Sequence, residues 1–239
     1  WNETYMSAAM ESILTGYDDP RLKVYFETCT DKAYAGEYRG IRQGTCFAHN
    51  HYAGLSKLSV DQSTDAPLMS SAEVWFLRAE AALRGFSNET PKTCYETGIK
   101  TSFAQWGVGD ATNYLASDKK PSDYKEMVPA SGGKDMKALI TISPKWNDTA
   151  GKEGQLEQII TQKWLACWPE SYEAWSEQRR TGYPKLFKVQ TNNSGGTIDT
   201  NDMIRRLPFS TDDADKDPVQ YDLLKKALGG PDHAGTRLW

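Results

Sequence analysis

The chain has 239 residues, 38% hydrophobic and 11% aromatic, with 28 Lys and Arg against 32 Asp and Glu for a net charge of −4. That length can bury a substantial core, as one large domain or two small ones. The slight acidity and the lack of any basic run exclude nucleic acid, whose binding rests on clustered Lys and Arg. No stretch approaches the about 18 apolar residues of a membrane-spanning helix.

In chain order, residues 2–15 (NETYMSAAMESILT) place Tyr5, Ala8/Ala9 and Ser12/Ile13 at helical spacing, with Gly16 as the stop. In DDPRLKVYFE, Asp19 is expected to cap a short helix whose first turn takes Pro20. Residues 30–66 contain Gly36, Gly40, Gly44 and Gly54, several Ser and Thr, and no sustained period, so they read as a long irregular excursion. Loops of that length inside a domain are uncommon and tend to be functional or disordered. Tyr34, Tyr38, Phe47 and Tyr52 within it predict an ordered one.

A helix pair follows. In SSAEVWFLRAEAALRG, Ser70 and Glu73 form a capping box and Gly85 stands where a left-handed C-terminal residue belongs. Its partner, PKTCYETGIKTSFAQWG, opens with Pro91 and carries Tyr95, Ile99, Phe103 and Trp106 on one stripe. Small alanines facing large aromatics across a short connection is the packing logic of tetratricopeptide-like helix pairs. Residues 108–152 are polar and turn-rich, with short helices expected near 121–127. A long helix is expected from Glu153 up to Pro169, then a second from Glu170 or Ser171 to Arg180, ended by Gly182 and Pro184. Residues 187–219 read as loops with an exposed acidic turn at TDDADKD, and QYDLLKKALGG as a last short helix. The expected class is mainly α: tetratricopeptide-like helix pairs, long irregular loops and little sheet.

Eight Trp and twelve Tyr suit a carbohydrate-binding or interface role as well as an aromatic core. The densest run is QKWLACWPESYEAWSEQRRTGYPKL at 162–186. Helical spacing puts Leu156, Ile160, Trp164 and Cys167/Trp168 on one face, which makes these rings core rather than ligand platform. Arg179 and Arg180 close the second helix, where cations offset its negative end, with Glu173, Glu177, Glu73 and Glu80 as available partners.

Catalytic signals are weak. Glu73 and Glu80 lie two turns apart on one helix, about 10–11 Å between backbones, against the about 5–9 Å that a glycosidase carboxylate pair requires. Structural ion pairs are the better reading. His49 and His51 flank Asn50, with Asp61 and Asp65 as conceivable further metal ligands, but no HExxH spacing exists. The acids at 212–217 lack the Gly and distant Glu of a calcium loop, and GxSxG is absent. Cys29, Cys46, Cys94 and Cys167 show no zinc spacing; two disulfides are possible, while buried free thiols fit scattered cysteines better. No enzyme activity, metal or cofactor is expected.

The 162–186 block, with its Gln-Lys-Trp helix, Glu-Ala-Trp and Arg-Arg-Thr-Gly-Tyr-Pro, resembles the signature of the SusD/RagB family of outer-membrane glycan-binding lipoproteins. DPRL at 19–22, YRGIRQG at 38–44, AEVWFLRAEAALRG at 72–85, GIKTSFAQWGV at 98–108, IRRLPF at 204–209 and ALGGPDHAGTRLW at 227–239 agree in order. The likeness is strongest to the branch ending in GGPD…T-x-LW. It implies that residues 1–239 are the C-terminal portion of a single SusD-like domain whose N-terminal half is absent from this chain; the chain opens on Trp1, not Met, in keeping with a piece of a longer protein. It also implies a surface-exposed lipoprotein of a Gram-negative outer membrane, held only by a lipid anchor missing from this chain. Such a protein binds oligosaccharides or other nutrients and delivers them to a SusC-like TonB-dependent transporter. The alternative is a lid or docking subunit that binds no ligand itself.

The matching blocks are scaffold, so the site is read from physics. Sugar rings stack C–H faces on exposed aromatics and need polar donors and acceptors for their hydroxyls. The 30–66 excursion offers Tyr34, Tyr38, Arg39, Arg42, His49, Asn50 and Tyr52 outside helical periodicity, and these are the expected glycan-binding residues. Trp146 and Tyr124 are the second choice.

Overall fold

The regular structure of the backbone is helical, set among long irregular segments. The structure, a computed structural model, describes residues 4–45, 51–128 and 132–238. Along them lie α1 (Ala8–Gly16), α2 (Leu22–Tyr25), α3 (Ser71–Arg84), α4 (Pro91–Gln105), α5 (Thr112–Leu115), α6 (Gly151–Ala166), α7 (Ser171–Thr181), α8 (Thr211–Lys216) and α9 (Pro218–Leu228). Extended pairing among the described residues is limited to isolated bridges.

Local chemistry explains the helix ends. The Ser70 hydroxyl accepts the Glu73 N–H at 3.1 Å, and Gly85 (φ 82°) closes α3 in the left-handed conformation that costs glycine nothing. Glu170 caps α7 by accepting the N–H groups of Tyr172 and Glu173, and Gly182 (φ 80°) ends it. α4 begins at Pro91, whose missing N–H is no loss in a first turn.

The chain forms two compact units, Trp1–Gln43 with Phe47–Phe187, and Gly44–Cys46 with Lys188–Trp239. In the larger unit α3 and α4 pack as a pair, α6 packs on both, and α7 packs on α6. The alanines Ala72 and Ala79 are fully buried beside Phe76, Tyr95, Ile99 and Phe103. An aromatic stack ties α2 to the end of α6: Tyr25 lies parallel to Trp168 at 4.4 Å, and Trp106 meets both edge-on. In the smaller unit α8 packs on α9. There Asp232 pairs with Arg206 and accepts hydrogen bonds from the Phe209 N–H (3.0 Å) and the Tyr221 hydroxyl (2.9 Å), fixing the GGPD segment. Burial opposes the Asp232 charge, but these three donors outweigh it and hold the carboxyl below its ordinary value.

Four expectations change. The first helix begins at Ala8, capped by Ser7, because Tyr5 and Ser7 are extended and bridge to Lys57 and Ile41. Asp19 does not cap α2, since its carboxylate is committed to the backbone N–H and guanidinium of Arg21. No helix forms at 121–127; Tyr124 instead pairs with Met136 in an antiparallel bridge, and the short helix lies at α5. The acidic turn at 211–217 is largely helical, as α8.

Candidate functional site

Most of the 162–186 block is built into the interior, while Tyr172 is exposed. Trp168 is buried in the stack above, Trp164 is half-buried where it touches both apolar clusters of the larger unit, and half-buried Trp175 carries the Arg179 guanidinium 3.9 Å above its ring. Beneath them the Lys163 side chain, 1% exposed, pairs with Glu173 (2.6 Å), Glu177 (3.0 Å) and Glu73 (3.7 Å). Arg180 continues the chain of charges to Glu80 and Glu177, and Glu80 also holds Arg84. Glu73 and Glu80 thus bind α3 to α6 and α7 as ion pairs, the role expected of them. Burial raises the Glu73 carboxyl; Glu80 is held below its ordinary value, because Arg180 and Arg84 outweigh the cost of its burial. Nothing local in the sequence marks Lys163 as the hub, because its partners arrive from two other helices.

A second buried pair underlies the DPRL block. Arg21 and Asp19, both side chains fully buried, meet bidentately at 2.9 and 2.6 Å. Arg21 also donates to Ser102 (3.1 Å) and Gln162 (3.0 Å). Fully paired in this way, a buried charge is tolerated.

The excursion at 30–66 is irregular but tightly anchored. Met6 donates to Ser56 O and accepts from Ile41 N, while Ala8 donates to Ile41 O, each at 2.8 Å. Gly40 passes so close to α1 that a Cβ there would lie 2.5 Å from Ser7 O. Its N–H donates to Glu11 at 2.7 Å, and the other Glu11 oxygen lies 3.1 Å from Arg39 Nε. Burial pushes the Glu11 carboxyl up to about 7, against the pull of Gly40 N–H and Arg39.

The expected glycan contacts divide by burial. Tyr34, Tyr38 and Arg39 keep part of their surface. Arg39 lies 5.2 Å from the Tyr34 ring centre and pairs with Glu37 as well as Glu11. Arg42 is 2% exposed and its guanidinium lies 2.9 Å from Glu126; Tyr52 is 3% exposed in the second apolar cluster. Both pin the loop from within and present no face to a ligand. His49, Asn50 and Phe47 lie outside the described residues. The second choice, Trp146 and Tyr124, is buried. Cys29, Cys94 and Cys167 are free and buried, and Cys46 lies outside the described residues. Among the described residues no group of His, Cys, Asp and Glu is arranged to hold a metal ion, and no helix is long and apolar enough to cross a membrane.

The family model for SusD-like proteins, the SusD and RagB outer-membrane lipoproteins, matches residues 1–239. The chain belongs to the SusD-like family. A SusD homologue from Bacteroides vulgatus is 57% identical, with a TM-score of 0.95 over 100% of this chain and 49% of that one. A chitin-binding SusD homologue from Flavobacterium johnsoniae is 42% identical, with a TM-score of 0.89 over 98% and 49%. One from Parabacteroides distasonis is 27% identical, with a TM-score of 0.71 over 92% and 44%. No curated protein matches. This SusD-like chain therefore spans about half the length of the solved structures it resembles. It shares their mainly helical, tetratricopeptide-like class, as expected.

Proposed function

We propose that this chain is part of a surface protein that captures an oligosaccharide at the outer membrane and delivers it to a TonB-dependent transporter, with Tyr34, Tyr38 and Arg39 among its ligand contacts. The observation that carries the reading is the end-to-end family match, joined to 42% identity with a relative that binds chitin. The half-buried tyrosines on irregular backbone support the choice of site: Tyr38 packs in part on the main apolar cluster and Tyr34 on the second, and each keeps part of its surface for a sugar face. Arg39 is oriented by Glu11, Glu37 and the Lys125 carbonyl, and of its five N–H donors those on the two terminal nitrogens not so engaged remain for hydroxyls. Binding rather than turnover is the role: Glu73 and Glu80 are committed to ion pairs, so no sugar release is expected, and none to lose in Glu73→Gln.

Calorimetry against chitin oligosaccharides and a panel of other glycans tests the proposal. Binding is expected for one class, weakened about tenfold in Tyr38→Ala, as fits the loss of one stacking contact. The burial of Arg42 and Tyr52 leaves the excursion less ligand surface than its composition promised, and this favours the second reading, a lid or docking subunit. Silence across the panel together with co-purification of a transporter barrel would select it.

A further inference from the structure

Away from the 30–66 excursion, the turn after α1 and the connection from α4 through α5 border an open cleft of ≈ 370 Å³, within the size range of small-molecule sites. We infer that this cleft is a second saccharide subsite, taking the hydroxyl edge of a neutral sugar through polar side chains rather than by ring stacking; the inference rests on the glycan-binding reading above.

Its floor is rigid. Tyr17, Phe103 and Tyr114 underlie it, the two tyrosine rings edge-on at 6.2 Å and Phe103 tilted against Tyr114 at 5.1 Å. The Tyr17 hydroxyl donates to Ile142 O at 3.1 Å, and the Tyr114 hydroxyl accepts from Gln162 at 2.8 Å. A floor locked in this way loses little freedom when a ligand arrives. These rings are buried, so the apolar surface offered is that of half-buried Pro20 and Val108.

The walls supply the polar partners of a polyol. Asp110 and Asn113 line it, as do Asp18 and its ion-pair partner Lys119. The Thr112 N–H and hydroxyl hold Asp110 as the acceptor-only carboxylate, below its ordinary value. The Asn113 carboxamide makes no hydrogen bond among the described residues and offers both donor and acceptor. Asp18 is the one non-glycine residue with positive φ (50°) among the described residues, a conformation Asp tolerates better than most. With Lys119 already neutralised by Asp18, the remaining charge is the Asp110 carboxylate. That disfavours phosphates and uronates and leaves neutral hydroxyls as the fitting partners.

The probes are methyl glucoside, methyl galactoside and N-acetylglucosamine, followed by saturation-transfer NMR on the purified protein. Asn113→Trp fills the cleft and Asp110→Ala removes an acceptor; both positions are exposed, so the melting temperature should hold and report folding. We expect one monosaccharide to bind, with affinity lowered about tenfold or more in each cleft variant and unchanged in Lys216→Ala, an exposed control position in α8. Binding that ignores both cleft variants but falls in Tyr38→Ala overturns the subsite and leaves the excursion as the glycan site. Oligosaccharide binding without any monosaccharide binding overturns the subsite alone. Silence toward every saccharide overturns both.

Discussion

The 162–186 block and the 30–66 excursion are both rich in aromatic and charged side chains, yet they spend them differently. In the block, helical periodicity directs Trp164 and Trp168 inward and lines Lys163 up with glutamates from α3 and α7. In the excursion the backbone has no period, so neighbouring residues part company: Arg39 stays near the surface while Arg42, three residues on, is buried against Glu126. Composition alone does not distinguish mortar from ligand platform. Regular backbone commits a whole face at once, whereas irregular backbone commits each side chain singly.

The sharpest way to break this contrast is to disturb the helical layer. Arg21→Ala leaves Asp19 buried without its cation, and should cost about 3–5 kcal/mol, read as a lowered urea midpoint at constant slope. Lys163→Ala should behave alike, since Glu73 and Glu177 would then repel one another. An Arg21→Ala midpoint within experimental error of wild type would show that the interior charges are not what holds these helices.

The next effect separates the excursion's anchor from its surface. Glu11 has a folded pKa of about 7 against an ordinary 4.5. Between those values the folded state keeps a proton that the unfolded chain has released, so this group's contribution favours folding more at pH 5 than at pH 8. The difference should be on the order of 2 kcal/mol. In Glu11→Gln that part of the pH dependence should vanish, while carboxylates held below their ordinary values, such as Glu80 and Asp232, lose their stabilisation only at lower pH. Identical stability profiles for wild type and Glu11→Gln between pH 5 and 8 would refute the assignment.

Gly40→Ala forces a methyl group against Ser7 O and should destabilise by about 1–3 kcal/mol, with faster hydrogen exchange at the Ile41 amide. The smallest stability effects belong to the surface of the excursion. Tyr34→Ala and Tyr38→Ala, both half-buried, should each cost about 1 kcal/mol while acting on ligand affinity. A tyrosine variant as damaging as Arg21→Ala would mark that ring as structural and erase the contrast between the two regions.

Much of the architecture was legible in the residues. Ser70, Gly85, Pro91 and Gly182 mark helix ends through side-chain and φ requirements that act within a few residues. Ala72, Ala79, Phe76 and Tyr95 reveal the α3–α4 pairing through periodicity alone. Less of the site was legible. Of the ring and guanidinium groups expected there, Tyr34, Tyr38 and Arg39 keep surface, whereas Arg42 and Tyr52 are taken inward by partners such as Glu126, distant in the chain.

What the sequence determined by itself was therefore the helical class, the helix ends, the aromatic interior of the 162–186 block and the resemblance to SusD-like proteins. Each rests on interactions repeated at short, fixed spacing or on motifs in fixed order. Only the tertiary structure decided that Lys163 gathers three glutamates, that Asp19 serves Arg21 instead of a helix cap, and which side chains of the excursion face water. Those outcomes depend on long-range approach of groups whose burial no local pattern encodes.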